Sequence, residues 1–191
     1  MEHLDETIIS LRKEQYRAEN TSIEKGFYIK DILTTFHEIE LLDKFKIMLP
    51  VDFITMDKEL AKIKYPSEER PQIIKTNEDT SVNIGFNLLP SDKRLRRDDI
   101  EKETTELRRI LKKLNSSMEF YNLEIEQLES FNLAWFDYKN SAIDDDLYNI
   151  MFIAGISEKE MLHGIFNCSF SDYKDWKTAA IEMLKTIKLS N

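Results

Sequence analysis

The last third of the sequence, residues 131–188, most narrowly limits what this chain can fold into. Two apolar runs typical of β-strands, FNLAWFDY and LYNIMFIAGI, are joined by the polar segment NSAIDDD. A third run, EMLHGIFNCSF, continues into SDYKDWKTAAIEMLKTIK, where apolar residues recur at the three- and four-residue spacing of an amphipathic helix. Because strands joined by short connections pair antiparallel, the order predicts an antiparallel α+β domain closed by a helix over residues 172–188.

The middle of the chain predicts further elements of the same domain. Residues 81–88 alternate between apolar side chains and small polar ones, as a β-strand does. Residues 99–114 place apolar side chains on one face of a long helix, which begins with the capping pair Asp98 and Glu101. Residues 121–126 alternate again and predict a strand with one wet face.

The N-terminal part of the chain is less regular. Residues 27–42 and 44–57 are rich in β-branched and aromatic residues and are predicted to form one strand each, the second ended or edged by Pro50. Residues 60–79 carry two prolines and several turn residues, which predicts a loop-rich stretch with a short strand near its end.

A narrow apolar stripe runs through the first residues of the chain. Leu4, Ile8 and Leu11 lie at helical spacing among charged residues. The stripe predicts an N-terminal helical arm, residues 1–28, attached to a single domain over residues 29–191. The arm could dock on its own domain, on a partner or on a second copy, which would make the chain a homo-oligomer.

The order of elements carries a resemblance to a known family. The segment YPSEERPQIIKTNEDTSVNIGFNLL leads to the helix DIEKETTELRRILKKLN, and FNCSF is followed by a tryptophan, a Met-Leu pair and an isoleucine. This arrangement resembles the PsbP-like superfamily, which includes the photosystem subunit PsbP, the yeast Ran-binding Mog protein and the bacterial DcrB group. The resemblance covers about residues 30–188 as topology, without a diagnostic motif. It implies an αβα sandwich around a central antiparallel sheet, and roles in binding and assembly rather than catalysis.

The net charge and the cysteine content limit the classes of partner and the cellular compartment that the sequence predicts. The formal net charge of −9 disfavours nucleic acid as a partner, because binding to phosphates needs an excess of lysine and arginine. The single cysteine, Cys168, allows no intrachain disulfide and suits a reducing compartment. The N-terminus has neither the basic start nor the apolar run of a secretory signal, and no segment is long and apolar enough to span a membrane. The sequence therefore predicts a cytoplasmic protein.

The residue types that most often carry chemistry are present without a characteristic spacing. The acidic run at residues 144–146 lacks the alternating acids and the glycine of a calcium loop, which favours a solvated turn over a cation site. His3, His37 and His163 are far apart in sequence, and His163 is predicted to be partly buried or at a pocket edge. Cys168 follows apolar residues typical of packing rather than of a nucleophile. No catalytic residue, metal site or cofactor is predicted.

Two groups of residues suggest a contact surface for a protein partner. One is a basic run ahead of the long helix, and the other is a set of aromatic residues on neighbouring predicted strands. Trp135 and Phe136 are consecutive, so one of the two must face away from the helix layer, either under a second layer or as an exposed patch. The predicted partner surface comprises Lys93, Arg94, Arg96, Arg97, Trp135, Tyr138 and Tyr148.

These observations favour a noncatalytic binding or accessory protein, with a bacterial secretion or toxin-immunity system as the hypothetical setting. A second hypothesis is a small-ligand-binding protein or enzyme with a pocket on the polar sheet face around Asn83, Asn87 and His163. A third is a structural oligomer held by the N-terminal helix. A pocket with converging polar side chains would favour the second hypothesis, and a flat apolar patch the first.

Overall fold

The computed structural model describes residues 2–91, 97–141 and 145–190. The chain divides into two compact units. The sheet unit comprises residues 52–173, and the terminal unit joins residues 1–51 to residues 174–191. The sequence-based division into residues 1–28 and 29–191 stays a prediction.

The described residues form four α-helices and thirteen β-strands. The helices are α1 (Glu2–Glu19), α2 (Lys58–Lys64), α3 (Arg97–Leu114) and α4 (Tyr173–Lys185). The strands are β1 (Thr21–Ser22), β2 (Gly26–Ile29), β3 (Ile32–Thr34), β4 (Phe36–Leu41), β5 (Phe45–Pro50), β6 (Ile54–Thr55), β7 (Ile73–Thr76), β8 (Asn83–Pro90), β9 (Glu119–Gln127), β10 (Asn132–Asn140), β11 (Leu147–Ala154), β12 (Glu160–Ser169) and β13 (Lys188–Leu189).

The sheet unit is built on seven strands in the order β6-β7-β8-β12-β11-β10-β9, and every pair is antiparallel. The three strands predicted within residues 131–170 are the neighbours β10, β11 and β12. The predicted α+β fold with an antiparallel sheet, a long helix in mid-chain and a C-terminal helix is therefore confirmed. Strand β9 forms one edge of the sheet, and β8 pairs with β12 across a long separation in sequence.

Helix α3 covers part of one face of this sheet. Its apolar side packs on β10 and β11, where Ile100 forms a buried cluster with Ala134 and Ile153. Leu107 of α3 packs against the same cluster, as do Ile125 and Met161. The apolar spacing that predicts this helix is thus the spacing of its contacts with the sheet.

The opposite face of the sheet is also buried. Phe86 of β8 and Phe152 of β11 meet edge to face with ring centroids 5.9 Å apart, and both are fully buried. Gly164 of β12 lies beside them, and a Cβ atom there would stand 2.6 Å from Phe152 Cε1 and 2.7 Å from the Gly85 carbonyl oxygen. Because both faces of the sheet are buried, the sequences of the central strands are nearly continuous runs of apolar residues.

The terminal unit corrects the prediction of one long strand over residues 27–42. That segment forms the strands β2, β3 and β4, because the chain reverses at Lys30 and Asp31, whose φ angles are 47° and 63°. Neither residue is the glycine or asparagine that most often signals such a turn. A second sheet in the order β13-β5-β4 completes the unit.

Helix α1 contacts the hairpin formed by β2 and β3. Lys13 Nζ and Arg17 Nη2 each lie 3.1 Å from a carboxylate oxygen of Asp31 at the hairpin turn. The Tyr16 ring stacks on that of Tyr28 at 6.4 Å between centroids. Within the predicted arm, residues 1–28, only Glu2–Glu19 is helical, and one side of this helix packs on its own chain.

The C-terminal helix predicted over residues 172–188 is observed as α4, preceded by a 3₁₀ turn at Phe170–Asp172. Its predicted apolar face is buried: Trp176, Ala179, Ala180, Met183 and Leu184. The Thr186 hydroxyl donates to the Met183 carbonyl and accepts from the Met48 backbone N–H of β5, at 2.6 and 2.9 Å. These bonds tie the end of the helix to β5.

Helix α2 lies where the sequence predicts a loop-rich stretch. Asp57 caps it by accepting hydrogen bonds from the backbone N–H groups of Glu59 and Leu60. Asp before a helix is the usual N-cap signal, but α2 is only seven residues long and buries none of them, so it lacks an apolar face that periodicity would detect. None of the helices in the described parts of the chain is both long and apolar enough to cross a membrane.

Candidate functional site

The aromatic part of the predicted partner surface lies in the core. Trp135, Tyr138 and Tyr148 are 2%, 5% and 0% exposed, because β10 and β11 are interior strands with both faces covered. Burial raises the pKa of the Tyr138 phenol to about 12. A partner that meets the surface of this structure does not reach these three rings, so the sequence-based choice of contact residues is corrected here.

The basic part of the predicted surface lies largely outside the described residues. This applies to Lys93, Arg94 and Arg96, while Arg97 is the first residue of α3. Further along α3, Arg109 pairs with Glu106, and the Arg108 guanidinium lies 5.3 Å from the centre of the Phe120 ring. The basic run ahead of α3 stays a prediction.

A buried carboxylate and a buried phenol form one polar contact inside the sheet. The Tyr148 hydroxyl donates to Asp137 Oδ2 at 2.8 Å, and both residues are fully buried. Asp137 Oδ1 also accepts from the backbone N–H of Asn122, at 2.7 Å, where the register between β9 and β10 shifts. Burial, with the nearby Asp137 carboxylate, raises the pKa of the Tyr148 phenol. The pair supports a bulge in the sheet, which is a structural role.

Replacing Tyr148 by phenylalanine is expected to lower the free energy of unfolding by about 1–3 kcal/mol. The buried Asp137 carboxylate loses one hydrogen-bond donor and gains no water in its place. Urea titration measures the loss, and the matched control is Tyr121→Phe at an exposed position of the edge strand β9, expected to change stability by less than about 0.5 kcal/mol. Equal stability of the two variants would contradict the prediction.

The two amides of the predicted polar strand face, Asn83 and Asn87, bind other residues of the chain. Asn83 Nδ2 donates to Asn167 Oδ1 at 3.0 Å, and Asn167 Nδ2 donates to the Tyr65 hydroxyl at 3.0 Å. Asn83 Oδ1 accepts from the Thr76 hydroxyl at 2.8 Å. Asn87 Oδ1, nearer the end of β8, accepts from the backbone N–H of Gln72 at 2.7 Å. The side chains of Asn83 and Asn87 thus link β8 to neighbouring segments of the chain.

A cavity does lie beside the third residue of that prediction, His163. It has a volume of about 210 Å³, lies between α3 and the sheet, and is partly open to solvent. Its lining is mainly apolar, with two carboxylates and one imidazole: Leu89, Glu103, Glu106, Leu107, Ile110, Ile153, Met161 and His163. The four residues from α3 follow the spacing of one helix face, but their sequence pattern alone does not distinguish a cavity wall from ordinary core packing.

His163 contributes to the lining of this cavity, but its Nε2 atom is buried and does not face the open space. No hydrogen-bond partner of Nε2 lies among the described residues. Burial lowers the pKa of His163, which favours the uncharged imidazole. An uncharged imidazole offers one donor and one acceptor nitrogen. The prediction of a partly buried, pocket-edge histidine agrees with this position.

Acidic side chains near the β10–β11 connection bind other residues of the chain. Asp144 lies outside the described residues. Asp145 accepts a hydrogen bond from the Ser169 hydroxyl, and Asp146 Oδ2 lies 2.7 Å from Lys139 Nζ. Within residues 2–91, 97–141 and 145–190, no three His, Cys, Asp or Glu side chains are grouped as metal ligands.

A last candidate surface is the outer side of α1. Ile8 and Leu11, which we call the α1 surface, are exposed by 41% and 60%. Arg17 follows Ile8 by nine residues, which at 3.6 residues per turn places it on the opposite side of the helix. Since Arg17 binds the hairpin, the Ile8–Leu11 stripe points away from it. The stripe is visible in the sequence, but the sequence does not show which side of α1 contacts the rest of the chain.

No protein-family model matches the chain, and no curated protein matches it in sequence.

Solved structures do match. PsbP of the cyanobacterium Synechocystis (CyanoP) shares 8% sequence identity over 84% of this chain and 96% of its own, with a TM-score of 0.56. LpqN of Mycobacterium tuberculosis, described as involved in cell envelope biogenesis, shares 11% identity over 90% of this chain and 99% of its own, with a TM-score of 0.55. The Ran-binding protein Mog1p of Saccharomyces cerevisiae shares 12% identity over 82% of this chain and 96% of its own, with a TM-score of 0.49. The chain has the PsbP-like fold predicted from its sequence.

Proposed function

We propose that this chain is a noncatalytic binding protein that contacts a protein partner through the α1 surface. The observation that carries the proposal is the exposure of Ile8 and Leu11 on a helix whose opposite side contacts the β2–β3 turn of the same chain. Large apolar side chains grouped on one element are a common feature of protein interaction sites. A helix of this length is marginal in water, so the contacts with Asp31 also help to present the surface in helical form.

The proposed occupant is an apolar segment of another protein, helical in form. Ile8 and Leu11 are three residues apart and form a narrow row, the pattern by which one helix packs against another. The flanking residues of α1 are strongly charged, which suits the polar rim of an interface.

The test is capture of the partner from native extract, followed by reconstitution with the purified partner. The double variant Ile8→Glu/Leu11→Glu should weaken binding of the purified partner by at least about 100-fold, since two charges would be placed at the centre of the contact. The matched control is Ile63→Glu/Leu114→Glu, two apolar residues of 78% and 77% exposure on other helices. Equal binding by both variants would overturn the proposal.

A second copy of this chain is a second candidate partner, because the row of Ile8 and Leu11 could pack against the same row of another α1 helix. If two copies pair, light scattering should give a dimer for the full chain and a folded monomer after deletion of residues 1–20. A monomeric full chain would exclude a second copy as the partner.

The setting of this function stays a prediction from the sequence. A cytoplasmic location and a role in a bacterial secretion or toxin-immunity system are hypotheses that the identified partner would test. The other sequence-based hypothesis, a small-ligand-binding protein, is supported by the cavity beside His163 and not by the amides Asn83 and Asn87.

A further inference from the structure

A second cavity lies at the β6 edge of the seven-stranded sheet, between α2 and the strands β6 and β7. We call it the α2 cleft. It has a volume of about 380 Å³, is partly open to solvent, and lies within the sheet unit. Sites for small molecules have volumes of roughly 300–1,000 Å³, so the α2 cleft has room for such a ligand.

The walls of the α2 cleft are mainly apolar. Ala61 of α2 lines the cleft together with Pro71 and Ile73, and all three residues are half-buried. Pro71 packs directly on Gly85 of β8, where a Cβ atom would stand 2.6 Å from Pro71 Cγ. None of the described residues that line the cleft is aromatic. The walls therefore suit an aliphatic chain better than a ring, which gains most from aromatic neighbours.

Three cationic side chains line the same cleft: Lys58 and Lys62 of α2, and Arg70 of the segment between α2 and β7. Lys62 Nζ is paired with Glu59, at 2.6 Å. Arg70 is half-buried, and its Nε donates to the Tyr65 carbonyl at 3.0 Å, which fixes the position of the guanidinium group. Neither Lys58 nor Arg70 forms an ion pair with a carboxylate in the described parts of the chain.

The balance of charge at the cleft favours a ligand with one negative charge. The whole chain has a formal net charge of −9, yet Lys58 and Arg70 line one cleft without a carboxylate partner among the described residues. Glu68 also lines the cleft and would repel a second negative charge on a ligand. Lysine and arginine bind carboxylates through charge-assisted hydrogen bonds, which are roughly twice as strong as uncharged ones.

We propose that the α2 cleft binds a monocarboxylate with a short aliphatic chain, whose carboxylate is bound by Lys58 and Arg70 and whose chain packs against Ala61 and Pro71. This site is separate from the α1 surface, and the proposal does not depend on the proposed protein partner. It would give the chain a small-molecule ligand as well.

The experiment is a titration of the full chain, labelled with ¹⁵N, with hexanoate, hexylamine and acetate at low salt and neutral pH, followed by NMR. Hexanoate is expected to shift the amide signals of the lining residues saturably. Hexylamine has the same chain with a positive charge and should bind at least about tenfold more weakly, the difference that one hydrogen bond to a charged group makes. Acetate lacks the chain and should give no saturable shifts. Absence of saturable shifts at millimolar hexanoate, or equal affinity for hexanoate and hexylamine, would overturn the proposal.

A charge reversal tests the role of the cations. Lys58→Glu should weaken hexanoate binding by at least about tenfold, while an acidic residue at the start of α2 is compatible with the helix. The matched control is Lys112→Glu, an exposed position of α3 outside the lining, which changes the net charge equally and should leave the affinity unchanged. An equal loss in the two variants would mean that only the overall charge matters, and the assigned site would be wrong.

A second pair of variants tests the apolar wall. Ala61→Trp should fill part of the cleft and abolish hexanoate binding. Its control is Ile63→Trp, on the same helix at a position that is 78% exposed and outside the lining, which should bind hexanoate normally. Circular dichroism verifies that both variants fold. Undiminished binding by Ala61→Trp would place the ligand elsewhere.

Discussion

Replacing Trp176 by alanine is expected to lower the free energy of unfolding by about 3–5 kcal/mol, the range for removal of a large aromatic side chain from a core. Trp176 lies in the first half of α4 and is only 6% exposed. The neighbours Ala179 and Ala180 are already small and buried, so the surrounding side chains have little means of filling the space. Chemical denaturation followed by circular dichroism measures the loss.

The matched control for this prediction is Thr178→Ala, an exposed position on the same helix. It changes helix propensity slightly and removes no buried surface, so a change of less than about 0.5 kcal/mol is expected. A loss below about 1 kcal/mol in Trp176→Ala would mean that the indole is solvated in solution.

Gly164→Ala is expected to cost about 3 kcal/mol, at the upper end of what overpacking a core costs. The added Cβ would overlap the Phe152 ring and stand 2.7 Å from the backbone oxygen of Gly85. Side chains can rotate away, but the strand backbone at Gly85 is held by its pairing with β7 and β12. Thermal and urea denaturation both measure this loss.

Gly155→Ala is the control, because the Cβ there would meet only the end of the Ile100 side chain, at 3.1 Å. Its cost should be less than about 1 kcal/mol. The double variant Gly164→Ala/Phe152→Leu, compared with the two single variants, should show a favourable coupling, since the smaller side chain leaves room for the methyl group. Additive losses would show that Phe152 is not the obstacle.

Sequence periodicity predicts the parts of the fold that are determined by residues close together in the sequence. Strands β10 to β12 follow one another in the chain and pair in that order, and the buried face of α4 has the expected helical spacing. The pairing of β8 with β12 joins segments about 80 residues apart, and no local pattern encodes it. The turn at Lys30 and Asp31 contains neither glycine nor asparagine, and its contacts with Lys13 and Arg17 join residues 14 to 18 positions apart, so a local turn signal does not reveal it.

The candidate sites are predicted less completely from the sequence, because most of them combine residues that are far apart in the chain. The stripe of Ile8 and Leu11 lies within one helix, so its spacing is visible in the sequence. The cavity is lined from β8, α3, β11 and β12, and only His163 had been singled out. Trp135 and Tyr148 looked like surface candidates because alternation shows that side chains point to two faces, not that both faces are covered.

The edge strand β9 has a consequence for the behaviour of the chain at high concentration. Nine residues of backbone at an open sheet edge could pair with a strand from another molecule and start aggregation. Glu119, Glu124 and Glu126 lie along this strand, and charges on an edge strand oppose such pairing because two copies would bring like charges together. The carboxylates of β9 are therefore expected to oppose edge-to-edge aggregation of the folded chain.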